Sequence, residues 1–462
     1  TETFLPIKNR RLEVSRINKP IFATGQLPAK LAFDNLKDAH RVSYAFPMPS
    51  IQKYYRKKPV QYISNLLGHE GDGSLHALLN KKGWIKGLSA GESQMDKGNS
   101  VLAVNISMTE AGSFHVDEIS AYLFAYLDLL KAGQIEEWIY QEQATAAQLA
   151  FRFSEKTSAM NAVRSIAPAL QHYPAKDLLV APYLMEAFDA SLIRSFLSKI
   201  TKDNVLMTVS SPGYKGQSTE AWFGVSYDLE LGEITVAAVD SSALQLPEAN
   251  PFLPESFDLT QGDTLGPKSV IADKGLELYM DTDLEFNVPR AVIHVSLRND
   301  GGFISLADAA QAQLYRRLVQ DDLNVLAYPA SLAGVSYQIS APPRGFRVSV
   351  AGYTDKQLVL LEEVLARLMS LSIRADRFDV MKSELIKDLA NSLKNKPFRQ
   401  SYQRSKDELL DSSWTAEQVI GALEGVTPQT LATWRDSIFQ QTSVQGLVHG
   451  NVTKARVDEL AG

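Results

Sequence analysis

The chain has 462 residues, 45% hydrophobic and 22% charged, a globular composition long enough for two or three domains that each bury a core. Lys and Arg number 47 against 53 Asp and Glu, and the formal net charge of -6 speaks against a broad basic face for nucleic acid. With no cysteine there are no disulfides, thiolate metal ligands or thiol nucleophile, and no apolar run approaches the roughly 18 residues that span a bilayer, so neither nucleic acid nor membrane is an expected partner.

Arg41 to Phe46 is the first expected strand, rich in β-branched and aromatic residues and ending in turn formers. The dense basic run Arg56-Lys57-Lys58 reads as a solvated helix entrance, and Pro59 suits the first turn of a helix running to Leu67. The segment Gly68-His-Glu-Gly-Asp-Gly-Ser74 then reads as a helix stop, a tight turn and a Ser74 cap on a helix that starts near Leu75. A strand from Val101 to Met108 passes through Thr109-Glu110 into a helix whose apolar residues Ile119, Tyr122, Leu123, Tyr126 and Leu130 keep a helical period. A long polar-faced helix carrying Trp138, a shorter helical stretch and a closing strand from Asn204 to Ser210 complete the first set.

Leu246-Pro-Glu-Ala-Asn-Pro-Phe-Leu-Pro254 follows, whose three prolines suit an extended connector. Beyond it the same order returns about 240 residues later, the signature of an internal repeat. There is a strand from Ala291 to Leu297, a helix from about Leu306 to Leu326 and a strand from Phe346 to Val350. Thr354-Asp355 leads into a helix with Leu358, Leu361, Leu365 and Leu368 on one face, and Thr354 with Gln357 reads as a capping box. Phe378 occupies the place of Trp138 in the next long helix, and Val444 to His449 closes the set. One α+β module written twice is the expected architecture, each copy a largely antiparallel sheet with helices packed on one face, because strands and helices do not alternate strictly. The expected boundaries are 1–245, a Pro-rich hinge over 246–262, and 263–462.

The glycine segment is also the most tempting place for chemistry. As a His-Glu-x-x-His zinc motif it fails, since position 73 is Gly, and none of the seven histidines has another three to five residues away. As a phosphate loop it lacks the closing Gly-Lys-Ser/Thr. No Gly-x-Ser-x-Gly elbow occurs, Asp281-Thr-Asp283 lacks the further ligands of a calcium loop, and the sequons at Asn105 and Asn451 fall on strand contexts. No catalytic or metal-ligating residue is therefore expected in this chain.

Particular strings add to the pattern. Phe46-Pro-Met-Pro49, Tyr54-Tyr-Arg-Lys-Lys-Pro59, Leu67-Gly-His-Glu-Gly-Asp-Gly-Ser-Leu75 and Lys82-Gly-Trp84 resemble the second domain of the pitrilysin and insulin-degrading enzyme family. Ala150-Phe-Arg-Phe153, His172-Tyr-Pro174, Glu220-Ala-Trp-Phe-Gly224, Leu332-Ala-Gly-Val-Ser-Tyr337, Gly352-Tyr-Thr-Asp-Lys356 and His449-Gly-Asn451 continue the resemblance in order across nearly the whole chain.

The resemblance implies a mitochondrial-processing-peptidase-like metallohydrolase fold and a parent enzyme of four homologous domains enclosing a chamber for peptides. The modules here would be the second and third domains. Zinc would belong to the missing first domain, whose His-x-x-Glu-His motif is absent here, so no cofactor is expected in this chain. The partners implied are peptide substrates and the missing first and fourth domains. The resemblance further implies an exosite at which a peptide amino terminus adds as a strand to a sheet edge. Gly68 and Glu70 match its loop, and Leu88, Ser89, Ala90, Gly91 and Glu92 match its strand, while Gln61 and Asn65 stand where the family has histidines. Starting at Thr1 without a Met, the chain reads as a piece of a longer protein, with a free-standing inactive interaction subunit as the alternative. Bacterial relatives suggest the periplasm.

Overall fold

The computed structural model describes residues 6, 8, 10, 19–35, 37–154, 157–260, 266–286, 288–299, 301–303, 305–440 and 442–461. The ends of the expected modules (1–5, 263–265 and 462) and two hinge positions (261 and 262) lie outside them.

Strand formation follows side-chain alternation. In β2 (His40–Pro49) Val42, Tyr44, Phe46 and Met48 are buried and their neighbours are not, and in β10 (Arg290–Asn299) Ala291, Ile293, Val295 and Leu297 repeat this. Each is flanked on both sides by antiparallel partners. The first sheet comprises β1 (Ala29–Asp34), β2, β3 (Ile85–Gln94), β4 (Asn99–Met108), β5 (Leu206–Ser211), β6 (Ser218–Thr219) and β7 (Ser226–Leu231), in the order β3-β4-β2-β5-β1-β7-β6. The second comprises β8 (Lys268–Asp273), β9 (Leu276–Thr282), β10, β11 (Val335–Ser340), β12 (Gly345–Tyr353) and β13 (Thr442–Gly450), in the order β11-β12-β10-β13-β9-β8.

Five strands therefore occupy equivalent places in the two sheets, and each sheet has the same single parallel pair, β1 with β5 and β9 with β13. The repeat read from the sequence is a repeat of topology, and the class is α+β. The outermost shared position differs, being filled by β7 from later in the chain in one sheet and by β8 from earlier in the other.

Helices bury their apolar stripes in the cores of these sheets. Val116–Ala132 buries Ile119, Tyr122, Leu123, Tyr126 and Leu130 as the period requires, and Tyr44 hydroxyl meets Ser120 Oγ at 2.7 Å beneath it. In Gln357–Ser370 the buried stripe is Leu358, Leu361, Val364 and Leu368, with Leu365 at its margin. The expected Thr354 capping box does not form. Thr354–Lys356 is a 3-10 turn, and Gln357 Nε2 instead donates to the carbonyls of Ala291 (2.6 Å) and Gly352 (3.1 Å), tying the helix start to its sheet. A capping box is found at Thr415 and Gln418, at the start of the helix Ala416–Glu424.

The polar face of the helix Ala375–Ser392 is a seam between the two modules. Arg377, Glu384, Lys387 and Asn391 recur at helical spacing along one side. They meet the Asn80 carbonyl, Lys86, Glu110 and Asp38 of the first module in turn.

Candidate functional site

The helix Pro59–Leu67 stops at Gly68, whose amide donates to the Ser64 carbonyl at 2.9 Å. Here the chain passes very close to β3: a Cβ on Gly68 would stand 3.3 Å from the Ala90 nitrogen. His69 folds back over the turn, its Nδ1 accepting from the Gly71 amide at 3.1 Å and its ring meeting Tyr328 edge-on at 4.9 Å between centroids. Burial pushes the His69 pKa down to about 4, so at neutral pH the ring is uncharged and able to accept that bond. Gly73 has a left-handed φ of 75° and its carbonyl accepts from the Gln245 amide at 2.8 Å, joining the turn to the start of the connector. Ser74 then caps the helix Leu75–Lys81, its Oγ accepting from the Ala77 amide at 3.0 Å. The stop, turn and cap read from the sequence are all present.

Glu70 is held by the second module. Its Oε2 accepts from Asn324 Nδ2 at 2.8 Å and stands 3.9 Å from His76 Nε2. Its side chain remains 25% exposed. Burial and the neighbouring Glu70 charge raise the Tyr328 pKa. Asn324 and Tyr328 come from the helix Leu306–Leu332 of the second module, and sequence reasoning missed both. Nothing local could have found them, because the contact spans 254 residues.

The strand residues Leu88 to Glu92 lie in β3, the terminal strand of its sheet, which pairs with β4 alone among the described residues. Leu88 is buried, Ser89 and Gly91 are exposed, and Ala90 is half-buried against Gly68. Glu92 Oε2 accepts from Ser64 Oγ at 3.0 Å, so a second carboxylate, unlike that of Glu70, sits directly on the open strand. Two clefts adjoin this region. One of about 450 Å³ is lined by Gln61, Asn65, His69 and Trp138 with the connector, and one of about 500 Å³ by Tyr55, Pro59, Glu92 and Tyr173. The structure thus joins Gly68 to Ala90 and Glu92 to the helix before the turn, while Glu70 is held by the second module.

No three His, Asp or Glu side chains converge to hold an ion among the described residues. His69, Glu70 and His76 come nearest in sequence, but the His69 ring is spent on Gly71 and Tyr328, and the residues present do not fit a zinc ion.

Comparison with known proteins identifies the family and the fold. The profile described as the peptidase M16 inactive domain matches residues 14–146, and that of the middle or third domain of peptidase M16 matches residues 151–422. Insulin-degrading enzyme of Bos taurus is 30% identical over 461 residues, which cover 98% of this chain and 45% of that protein. The A-factor-processing enzyme of Saccharomyces cerevisiae is 26% identical over the same shares of the two chains. The crystal structure of pitrilysin has the same fold, with a TM-score of 0.67 at 23% identity over 94% of this chain and 47% of that one. The chain spans about half the length of the curated relatives it matches.

Proposed function

The chain belongs to the M16 peptidase family, and from that membership we propose that it forms the central, non-catalytic part of a zinc-dependent endopeptidase that degrades peptides in an enclosed chamber. Its modules, taken as 1–245 and 263–462 about a hinge at 246–262, contribute chamber wall, and the zinc and the bond-breaking chemistry belong to a domain outside this chain. A periplasmic location is part of this proposal, on the likeness to bacterial relatives.

Within that role β3 anchors the amino terminus of a peptide. The observation that carries this is the open outer edge of β3, with Gly68 packed against Ala90 and two carboxylates nearby. An extended peptide gains main-chain hydrogen bonds by adding there, and a carboxylate offsets the terminal ammonium. Glu92 is on the strand itself, whereas Glu70 must share its carboxylate with Asn324. Fluorescence titration of a labelled peptide against wild type, Glu70→Ala and Glu92→Ala tests the arrangement. The affinity is expected to fall about tenfold, near 1.4 kcal/mol, in at least one variant and again when the peptide is N-acetylated. Unchanged affinity in all three comparisons would remove the anchoring role.

A further inference from the structure

Four strands terminate the two sheets, and two of them, β6 and β8, are blunted in the ways that natural proteins use to discourage edge pairing. β6 is two residues long, and β8 begins at Lys268 and shifts register between Ser269 and Ile271, while β3 is the edge already described. β11 has none of these devices. Its sequence Val335-Ser-Tyr-Gln-Ile-Ser340 contains no charge and no proline, its register against β12 is unbroken, and it has no other strand partner among the described residues.

A cleft of about 1490 Å³ opens at the C-terminal half of this strand, lined by Gln338, Ile339 and Ser340 and by the helix Pro397–Leu409. That volume exceeds the roughly 300–1000 Å³ of small-molecule pockets. The helix buries none of its residues and exposes Phe398 and Tyr402, which are four apart and share one side. The buried indole N–H of Trp414, also in the lining, has no acceptor among the described residues.

Charge specifies the occupant further. Arg316, Arg399, Arg404 and Lys406 line the cleft against only Asp407 and Glu417. None of the four cations forms an ion pair among the described residues, whereas Asp407 already accepts from Gln403 and Ser413. In a chain of net charge -6 this is a local cationic surface. We propose that β11 is a second strand-addition site, which takes an extended acidic peptide segment with its backbone on the β11 edge and its side chains against Phe398, Tyr402 and the cleft arginines. The backbone supplies the pairing, the alternate side chains meet the aromatic residues, and the acidic groups meet Arg399 and Arg404.

The site is independent of the β3 reading, and its test keeps the two apart. Short labelled peptides alternating Glu with Val or Lys with Val are titrated against the whole chain, together with the Glu peptide N-methylated at alternate residues so that one edge of its backbone cannot donate. The Glu peptide is expected to bind roughly tenfold or more tightly than either of the others, and Arg399→Glu with Arg404→Glu to remove that advantage. Both arginines lie on a helix that buries nothing, so the double variant should fold. Hydrogen exchange should slow at residues 335–340 on binding. Equal binding of the N-methylated or the Lys peptide, no binding at all, or protection at residues 85–94 instead would overturn the proposal.

Discussion

At Gly112 the backbone leaves no room for a side chain: a Cβ there would lie 1.9 Å from the Trp84 carbonyl oxygen. The approach is fixed by Thr109, whose Oγ1 accepts from the Gly112 amide at 3.0 Å and donates to the Gly83 carbonyl at 2.7 Å. Gly112→Ala must therefore push β3 from the helix start, and urea unfolding should show a loss of about 1–3 kcal/mol or more. Gly421→Ala is the control, since that helical position has nothing within 4 Å and should gain about 0.5–1 kcal/mol from the lost chain entropy. His69 gives a second test at this scale. Its folded pKa, about 4, lies below the ordinary 6.5, so the turn is fully stabilised above pH 6.5 and loses that stabilisation as pH falls from 6.5 toward 4. A proton titration of the ring followed by NMR should show a midpoint near 4, and His69→Gln should flatten the acid side of the stability curve. A midpoint near 6.5 would place the ring in solvent and remove its bond to Gly71.

Among the elements, the helices and strands that were legible are those whose whole apolar period is buried in one module. Pro59–Leu67 and the buried stripe of Val116–Ala132 are examples, and β2 and β10 run only one to three paired residues past their expected ends. The strands missed were β1, β6, β7, β8, β9 and β11, of which β1, β7 and β8 are short and largely half-buried or exposed, so that no alternation marks them. β1 and β9 are strands because β5 and β13 return from the far end of each module to pair with them in parallel, which no local signal reports. Shared spacing also did not guarantee a shared role. Trp138 and Phe378 both sit in the first turn of their helices, yet Phe378 is buried and Trp138 is an exposed cleft wall. The Thr354 box failed for a related reason: Gln357 had a buried carbonyl to satisfy on β10, and that outweighed a cap. The distinction is measurable. Thr415→Ala should cost about 1 kcal/mol, as removal of a working cap does, and Thr354→Ala should cost only a few tenths. Equal losses would restore the Thr354 cap.

For the molecule as a whole, the seam between modules decides how the candidate site is built, and it was invisible to sequence reasoning because its contacts join residues 254 to 353 positions apart in the chain. Asn324 donates to the Glu70 carboxylate, Arg377 pairs with Asp321 while donating to the Asn80 carbonyl, and Lys86 pairs with the buried Glu384. These contacts differ in strength. Lys387 with Glu110 is largely solvated on the carboxylate side and should contribute little, whereas Glu384 has only a few per cent of its side chain in water. Lys86→Met leaves a buried carboxylate without its cation and should destabilise the chain by on the order of 3 kcal/mol, because the desolvation cost remains when the Coulomb term is lost. Glu384→Met in the same chain removes that stranded charge, so the double variant should recover most of the loss, giving a coupling well above the error of urea unfolding. Hydrogen exchange along residues 375–392 should follow the same order, fastest in Lys86→Met and slower in the double variant. If the two substitutions instead add, the pair does not hold the modules together, and the orientation of Glu70 toward Asn324 rests on the remaining contacts of the seam.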